Sequence, residues 1–252
     1  MKIKILVLSF IGFTNLLAYA GGEAPELTPP VPGIFDSFVL AMSYQNDFCA
    51  ANPSKKECQD GAGHFGMALH GLWPDQKADL KNKYQYCSST TEQQVSKNWC
   101  AADIDVSAQM GSSVFSALKS VMPGTESCLY NHEWYAHGTC SGLNTADYFG
   151  DAQNLASRFR ALTHFQTFIS SAAGTTVSKD QLLAALTQDL GSQAQDAAVF
   201  LCRKISGQDY FSEVDISLTA QSFMDFPAAK SLGLRKEQGS CPSDGITIIS
   251  PN

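Results

Sequence analysis

Apolar residues alternate with polar ones near both ends of the chain and recur at helical spacing between them. Residues 36–44, DSFVLAMSY, set Phe38, Leu40 and Met42 at period two and read as a strand. Residues 45–62 are polar, hold two cysteines and read as a pinned loop. Residues 65–70, FGMALH, read as a short strand that delivers His70 at its end. Residues 75–106 are polar and irregular, so mostly loop with short helical turns is expected there. Met110, Val114, Leu118, Val121 and Met122 then define a helix over 107–122, stopped by Pro123-Gly124. A second helical stretch runs over 147–171 through Phe149, Leu155, Phe159, Leu162, Phe165 and Ile169, with Gly174 marking its end. Ser178 and Gln181 form a capping box for a third helix, which Gly191 closes. Beyond residue 198 the period returns to two, and 199–202, 214–218 and 246–249 read as strands. Strands at both ends with helices between them predict an α+β domain: a central, largely antiparallel sheet packed with several helices.

The first residues fall outside that pattern. Lys2 and Lys4 precede an apolar run from Ile5 to Leu17, followed by Ala18-Tyr19-Ala20, a small-x-small cleavage pattern. Residues 1–20 therefore read as a secretory signal peptide, and the run is short for a membrane span. Residues 21–34 read as a proline-rich leader, and residues 21–252 as a single domain, placed outside the cytoplasm, secreted or periplasmic. Without Lys2 and Lys4, 15 basic residues face 24 acidic ones, a formal charge of −9. That balance argues against a protein that coats nucleic acid, whose affinity comes from neutralising phosphates. It leaves room for an enzyme that grips one or two phosphates and turns over.

Export also decides how the eight cysteines are read, because an even number in an exported chain predicts disulfides. Proximity in sequence favours Cys49–Cys58 and Cys202–Cys241. Cys87, Cys100, Cys128 and Cys140 can pair among themselves in three ways. No C-x-x-C pair is present to hold zinc.

The candidate chemistry lies in two histidine clusters. The first is His70-Gly71-Leu72-Trp73-Pro74-Asp75, where glycine permits close backbone approach beside a strand-end histidine. The second is His132-Glu133-Trp134-Tyr135-Ala136-His137-Gly138-Thr139-Cys140. On a helix Glu133 and His137 share a face, so the carboxylate can orient the ring and stabilise its cation. His132 and His137, five apart, do not share one, so this is not the H-E-x-x-H zinc motif, and no metal or cofactor is expected.

Together these segments resemble the two active-site segments of the ribonuclease T2 family of secreted acid ribonucleases, and the likeness extends over most of residues 36–250. The resemblance implies a metal-independent endoribonuclease acting on single-stranded RNA through a 2′,3′-cyclic phosphate, with broad base specificity and no cleavage of DNA. It implies His137 as general base, His70 as general acid, Glu133 as stabiliser of the charged transition state, and His132 as phosphate ligand. Trp73 and Asp75 would hold a base. The family usually carries a lysine just before the second catalytic histidine, where this chain has Ala136. A cation from His132 or from another loop, such as Lys97, is one replacement. A weak or inactive member that binds RNA or a protein partner is the alternative. Other readings are a metal hydrolase built on His132, Glu133 and His137, and a purely structural disulfide-rich protein. His64 and His164 receive no role, and a monomer is expected.

Overall fold

A computed structural model describes residues 30–59, 65–76, 84–235 and 238–251. The predicted signal peptide, most of the proline-rich leader and His64 lie outside these residues. The described chain is a mixed α+β fold around a six-stranded sheet. Strand β1 (Ser37–Tyr44) pairs antiparallel with β2 (Met67–Asp75) on one edge and with β5 (Gln208–Thr219) on the other. Strand β4 (Ala198–Ile205) forms a hairpin with β5. Its two-residue turn is Ser206-Gly207, both at positive φ, the backbone that matches the twist of paired strands. Two short strands, β6 (Ile246–Thr247) and β3 (Thr176–Val177), finish the sheet; β6 runs parallel to β5 and every other pairing is antiparallel.

One face of the sheet is apolar. Phe38, Leu40 and Met42 from β1 meet Val214, Ile216 and Leu218 from β5, all buried. Tyr148, Phe149, Leu155 and Phe159 of α6 (Thr145–Arg160) join the same core. Each fully buried side chain of this size contributes about 1.5–3 kcal/mol relative to an exposed one. The opposite face of β1, β2 and β5 carries Ser43, His70, Trp73, Glu213 and Asp215.

A β-bulge on β2 decides which side chains share that face. Met42 pairs with Leu69 and Ala41 with Gly71, which leaves His70 as the extra residue. In a regular strand His70 and Trp73, three apart, would point to opposite faces. The bulge resets the alternation, so Leu69 and Leu72 both enter the core while His70 and Trp73 both reach Glu133. A second bulge acts alike on β5: Leu201 pairs with Glu213 and Cys202 with Phe211, so Ser212 is extra. Phe211 and Val214 are thereby both buried in the core, with Glu213 on the opposite face.

Several elements differ from the sequence expectation. Strand β2 does not end at His70 but continues through Trp73 to Asp75; it is an edge strand, where Pro74 costs no ladder bond. The expected loop over 45–62 opens with a short helix, α1 (Gln45–Ala51), anchored where Asp47 takes two hydrogen bonds from the Arg203 guanidinium. The polar stretch after residue 84 contains α2 (Glu92–Lys97). The helix over 107–122 is two, α3 (Ser107–Met110) and α4 (Ser112–Lys119), divided at Gly111 with φ +77°. The stretch over 147–171 is also two helices, α6 and α7 (Thr163–Ser171). The carboxylate of Asp189, from α8 (Lys179–Leu190), accepts from the backbone N–H groups of His164 and Phe165 and so caps α7. Gln181 and Ser178 make both bonds of the capping box at the start of α8.

Four disulfides join Cys49 to Cys58, Cys87 to Cys140, Cys100 to Cys128 and Cys202 to Cys241. Two of them bracket α5 (Leu129–Ala136): Cys128 immediately precedes the helix and Cys140 lies one turn beyond it.

Candidate active site

Helix α5 delivers the second histidine cluster. It follows Cys128, held in the left-handed region at φ +59°, and it stops at Ala136. His137 leaves the helix at φ −125°, although its N–H still donates to the Glu133 carbonyl. This exit corrects the reading from helical spacing. The rings of His132 and His137 come to 6.4 Å between centroids, and one donor atom each from His132, Glu133 and His137 fall within 4.8 Å of one another. These three are a donor group close enough, among the described residues, to hold a metal ion.

Glu133 lies at the centre. Its side chain is 1% exposed. Oε2 accepts from Trp73 Nε1 at 2.8 Å, and Oε1 stands 3.7 Å from His70 Nε2. Oε1 makes no hydrogen bond among the described residues. Glu133 thus gains Trp73 and His70 as partners, because the bulge turns both toward α5, while a ring nitrogen of His137 stays within 4.8 Å of its carboxylate. Gly71 is what permits the approach, since a Cβ there would overlap Glu133 Oε2 and Trp73 Nε1.

Trp73 divides the two catalytic candidates. His70 meets the indole edge-on at 5.2 Å, and His137 stacks on it at 5.1 Å and 28°. The indole's N–H and one of its faces are therefore committed to the protein. His137 is 7% exposed. His132 stacks on Trp99 at 4.7 Å and 20°. Asn131, fully buried, holds that arrangement by donating to the Trp99 carbonyl and accepting from the Val106 N–H. Asp75 ends β2, about 7 Å along the strand from Trp73; its carbonyl accepts from the Asp36 N–H.

The sequence reading gave no role to three residues that surround His70 from below. Glu213 Oε2 lies 2.7 Å from His70 Nδ1 and accepts from Ser43 Oγ at 2.5 Å. Asp215 lies two residues further along β5, on the same face as Glu213. The signal was present in FSEVDISL, where two acids alternate with core residues, but only strand pairing reveals what they face.

The charges follow from this geometry. Burial works against a charged His70, but the carboxylates of Glu213, Glu133 and Asp215 outweigh it and raise the ring pKa to about 10. The ring is 35% exposed, so solvent screens part of that support. Burial raises the Glu133 carboxyl to about 7, against the pull of the His70 cation and the Trp73 hydrogen bond. Burial also opposes ionisation of Glu213, yet the His70 cation and the bonds from His70 and Ser43 hold its pKa below the ordinary value. His132 moves the other way, lowered by burial and by the His70 cation, with Glu92 opposing. Burial and the His70 cation thus both disfavour the charged form of His132. Lys97 sits exposed at the end of α2. Ala136 is 1% exposed and its carbonyl accepts from the Tyr86 N–H.

A model of the ribonuclease T2 family matches residues 35–227. Ribonuclease I of Escherichia coli strain K12 is 26% identical over 248 residues, covering 90% of this chain and 91% of that protein. A ribonuclease of Aeromonas hydrophila is 29% identical over 141 residues, about half of each chain (55% and 49%). Among solved structures, ribonuclease MC1 from bitter gourd seeds superposes with a TM-score of 0.60 at 19% identity, covering 84% of this chain and 100% of that one. The self-incompatibility-associated SF11-RNase of Nicotiana alata gives 0.56 at 19% identity, covering 85% and 99%. The fold, the two histidine segments and the family match together place this chain in the ribonuclease T2 family.

Proposed function

We propose that the protein is a metal-independent endoribonuclease that cleaves single-stranded RNA by acid–base chemistry between His137 and His70. The observation that carries this reading is that both rings border the buried carboxylate of Glu133, with the carboxylate of Glu213 favouring the protonated form of His70. In the proposed reaction His137 takes the proton of the ribose 2′-OH, and the 2′-oxygen bonds to phosphorus. The bond from phosphorus to the 5′-oxygen breaks, and His70 Nε2 gives its proton to that oxygen. A 2′,3′-cyclic phosphate and a 5′-hydroxyl result. Each positioned proton transfer is worth about 10²–10⁴-fold in rate.

Glu133 adds a role that depends on pH. Below its pKa of about 7 the carboxyl is neutral, and Oε1 can donate to a phosphate oxygen. Above it, the anion repels the phosphate. Activity should therefore favour acidic to near-neutral pH. His132 supplies a neutral hydrogen bond to the phosphate rather than a cation. Trp73 acts as the wedge that spaces the two rings, and Asp75 extends the site along β2. DNA lacks the 2′-OH nucleophile and should not be cut. The signal peptide over residues 1–20 directs export, and the exported chain acts as a monomer.

The test is incubation of the purified protein with RNA and with DNA of the same sequence in EDTA, beside His70→Ala and His137→Ala. The expected outcome is RNA cleavage to cyclic-phosphate ends, reduced at least about 10²-fold in each variant. Loss of cleavage in EDTA, restored by a divalent ion, would instead favour a metal held by His132, Glu133 and His137.

A further inference from the structure

We infer that Glu213 is the positioning residue for His70: its carboxylate, anchored by Ser43, takes Nδ1 so that Nε2–H alone is presented to the leaving group. The inference rests on the proposed reaction and adds a residue to it. Three features of the geometry support it. The contact of Glu213 Oε2 with Nδ1 is 2.7 Å, the length of a charge-assisted bond, whereas Nε2 stands 3.7 Å from the nearest Glu133 oxygen. Glu213 is itself fixed, since Oε2 also accepts from Ser43 Oγ and both residues lie on paired strands, Ser43 opposite Glu213 in the register. The two bulges, at His70 and at Ser212, are the devices that put these side chains on one face, and bulges of this kind re-aim side chains.

The consequence is chemical as well as geometric. With Nδ1–H donated to a carboxylate, the imidazolium can lose only its Nε2 proton to the departing 5′-oxygen. The ring left behind is the neutral tautomer that still donates Nδ1–H to Glu213. Glu213 therefore supports the acid before transfer and fixes its tautomer after it. The groups facing the ring are Glu213 and Asp215 from β5 and Glu133 and His132 from α5. Three carboxyl groups against one histidine leave a standing cation on the sheet side of the site. In a chain with Ala136 where the family usually has lysine, that imidazolium is a positive charge within the proposed site.

The experiment compares the full-length exported protein with Glu213→Gln, which keeps the shape and removes the charge. Two readouts are taken: steady-state kinetics on RNA, and NMR titration of the His70 ring. The expected result is a fall in kcat of about 10–100-fold with KM changed less than about threefold. The His70 ring should lose its proton at least about one pH unit lower than in the parent. An unchanged His70 titration, or a loss of activity that merely tracks the loss of folded protein, would overturn the role of Glu213. If the parent itself does not cleave RNA, the reaction proposed above fails, while the titration still decides whether Glu213 holds the ring. Should Glu213→Gln fail to fold, Ser43→Ala removes one anchor of the carboxylate. It should shift the ring in the same direction by a smaller amount, and no shift would again overturn the inference.

Discussion

His70 and His132 are the same residue type a few ångströms from the same carboxylate, yet their surroundings push them in opposite directions. His70 stands on a sheet above Glu213 and Asp215 and beside Glu133, and its pKa is raised to about 10. His132 stands on a helix, stacked on the Trp99 indole, and its pKa is lowered by burial and by the His70 cation. Burial alone favours the neutral ring in both places. The difference lies in the carboxylates, which strand pairing puts under one ring and not under the other. The charge of His70 is thus set chiefly by Glu213 of the sheet, and the helix contributes a ring whose charged form is disfavoured and a carboxyl poised near pH 7.

The sharpest way to break this contrast is Gly71→Ala. The added methyl overlaps both Glu133 and Trp73, so the carboxylate that both sides share must move. A displacement of about 1 Å at a reacting group costs on the order of 10²-fold in rate, and overpacking here should cost about 1–3 kcal/mol in stability. Activity assays with denaturant unfolding check both, and a fully active variant would show that the close approach is dispensable.

Glu133→Gln sharpens the comparison with a smaller effect, read in the pH dependence of stability. The carboxyl rises from an ordinary 4.5 to about 7 on folding, so the folded state holds the proton more tightly. Its favourable contribution is complete below about pH 4.5 and is lost as pH rises through about 7, a change on the order of 3 kcal/mol. The amide cannot titrate, so the variant's stability should fall less over that interval than the parent's. Urea unfolding at a series of pH values measures it, and parallel curves would show that Glu133 is not held neutral by its burial.

The legible part of this site was the part that is local in sequence. His70, Trp73, Glu133 and His137 sit in two short motifs, and the structure brings them around one carboxylate. Glu213 is 143 residues from His70, and its relation to the ring depends on two bulges whose register no local pattern encodes. The same limit applies to the fold. Alternating apolar residues placed β1 and β5, and the Ser178–Gln181 pair placed the start of α8. The division between α6 and α7 was not legible, because the group that caps α7 is Asp189, on a different helix. The helical-spacing argument that separated His132 from His137 failed for a related reason. It assumed that the helix continued, whereas α5 ends at Ala136 between two disulfide anchors.

The most direct test of this account is an NMR titration that follows the rings of His70 and His132 in one sample of the protein without substrate. The account predicts that His132 loses its proton below the ordinary histidine value of 6.5 while His70 keeps its own well above it, toward about 10. Two rings titrating together near the ordinary value would contradict it, because the carboxylates beneath the sheet-borne histidine would then not be governing its charge.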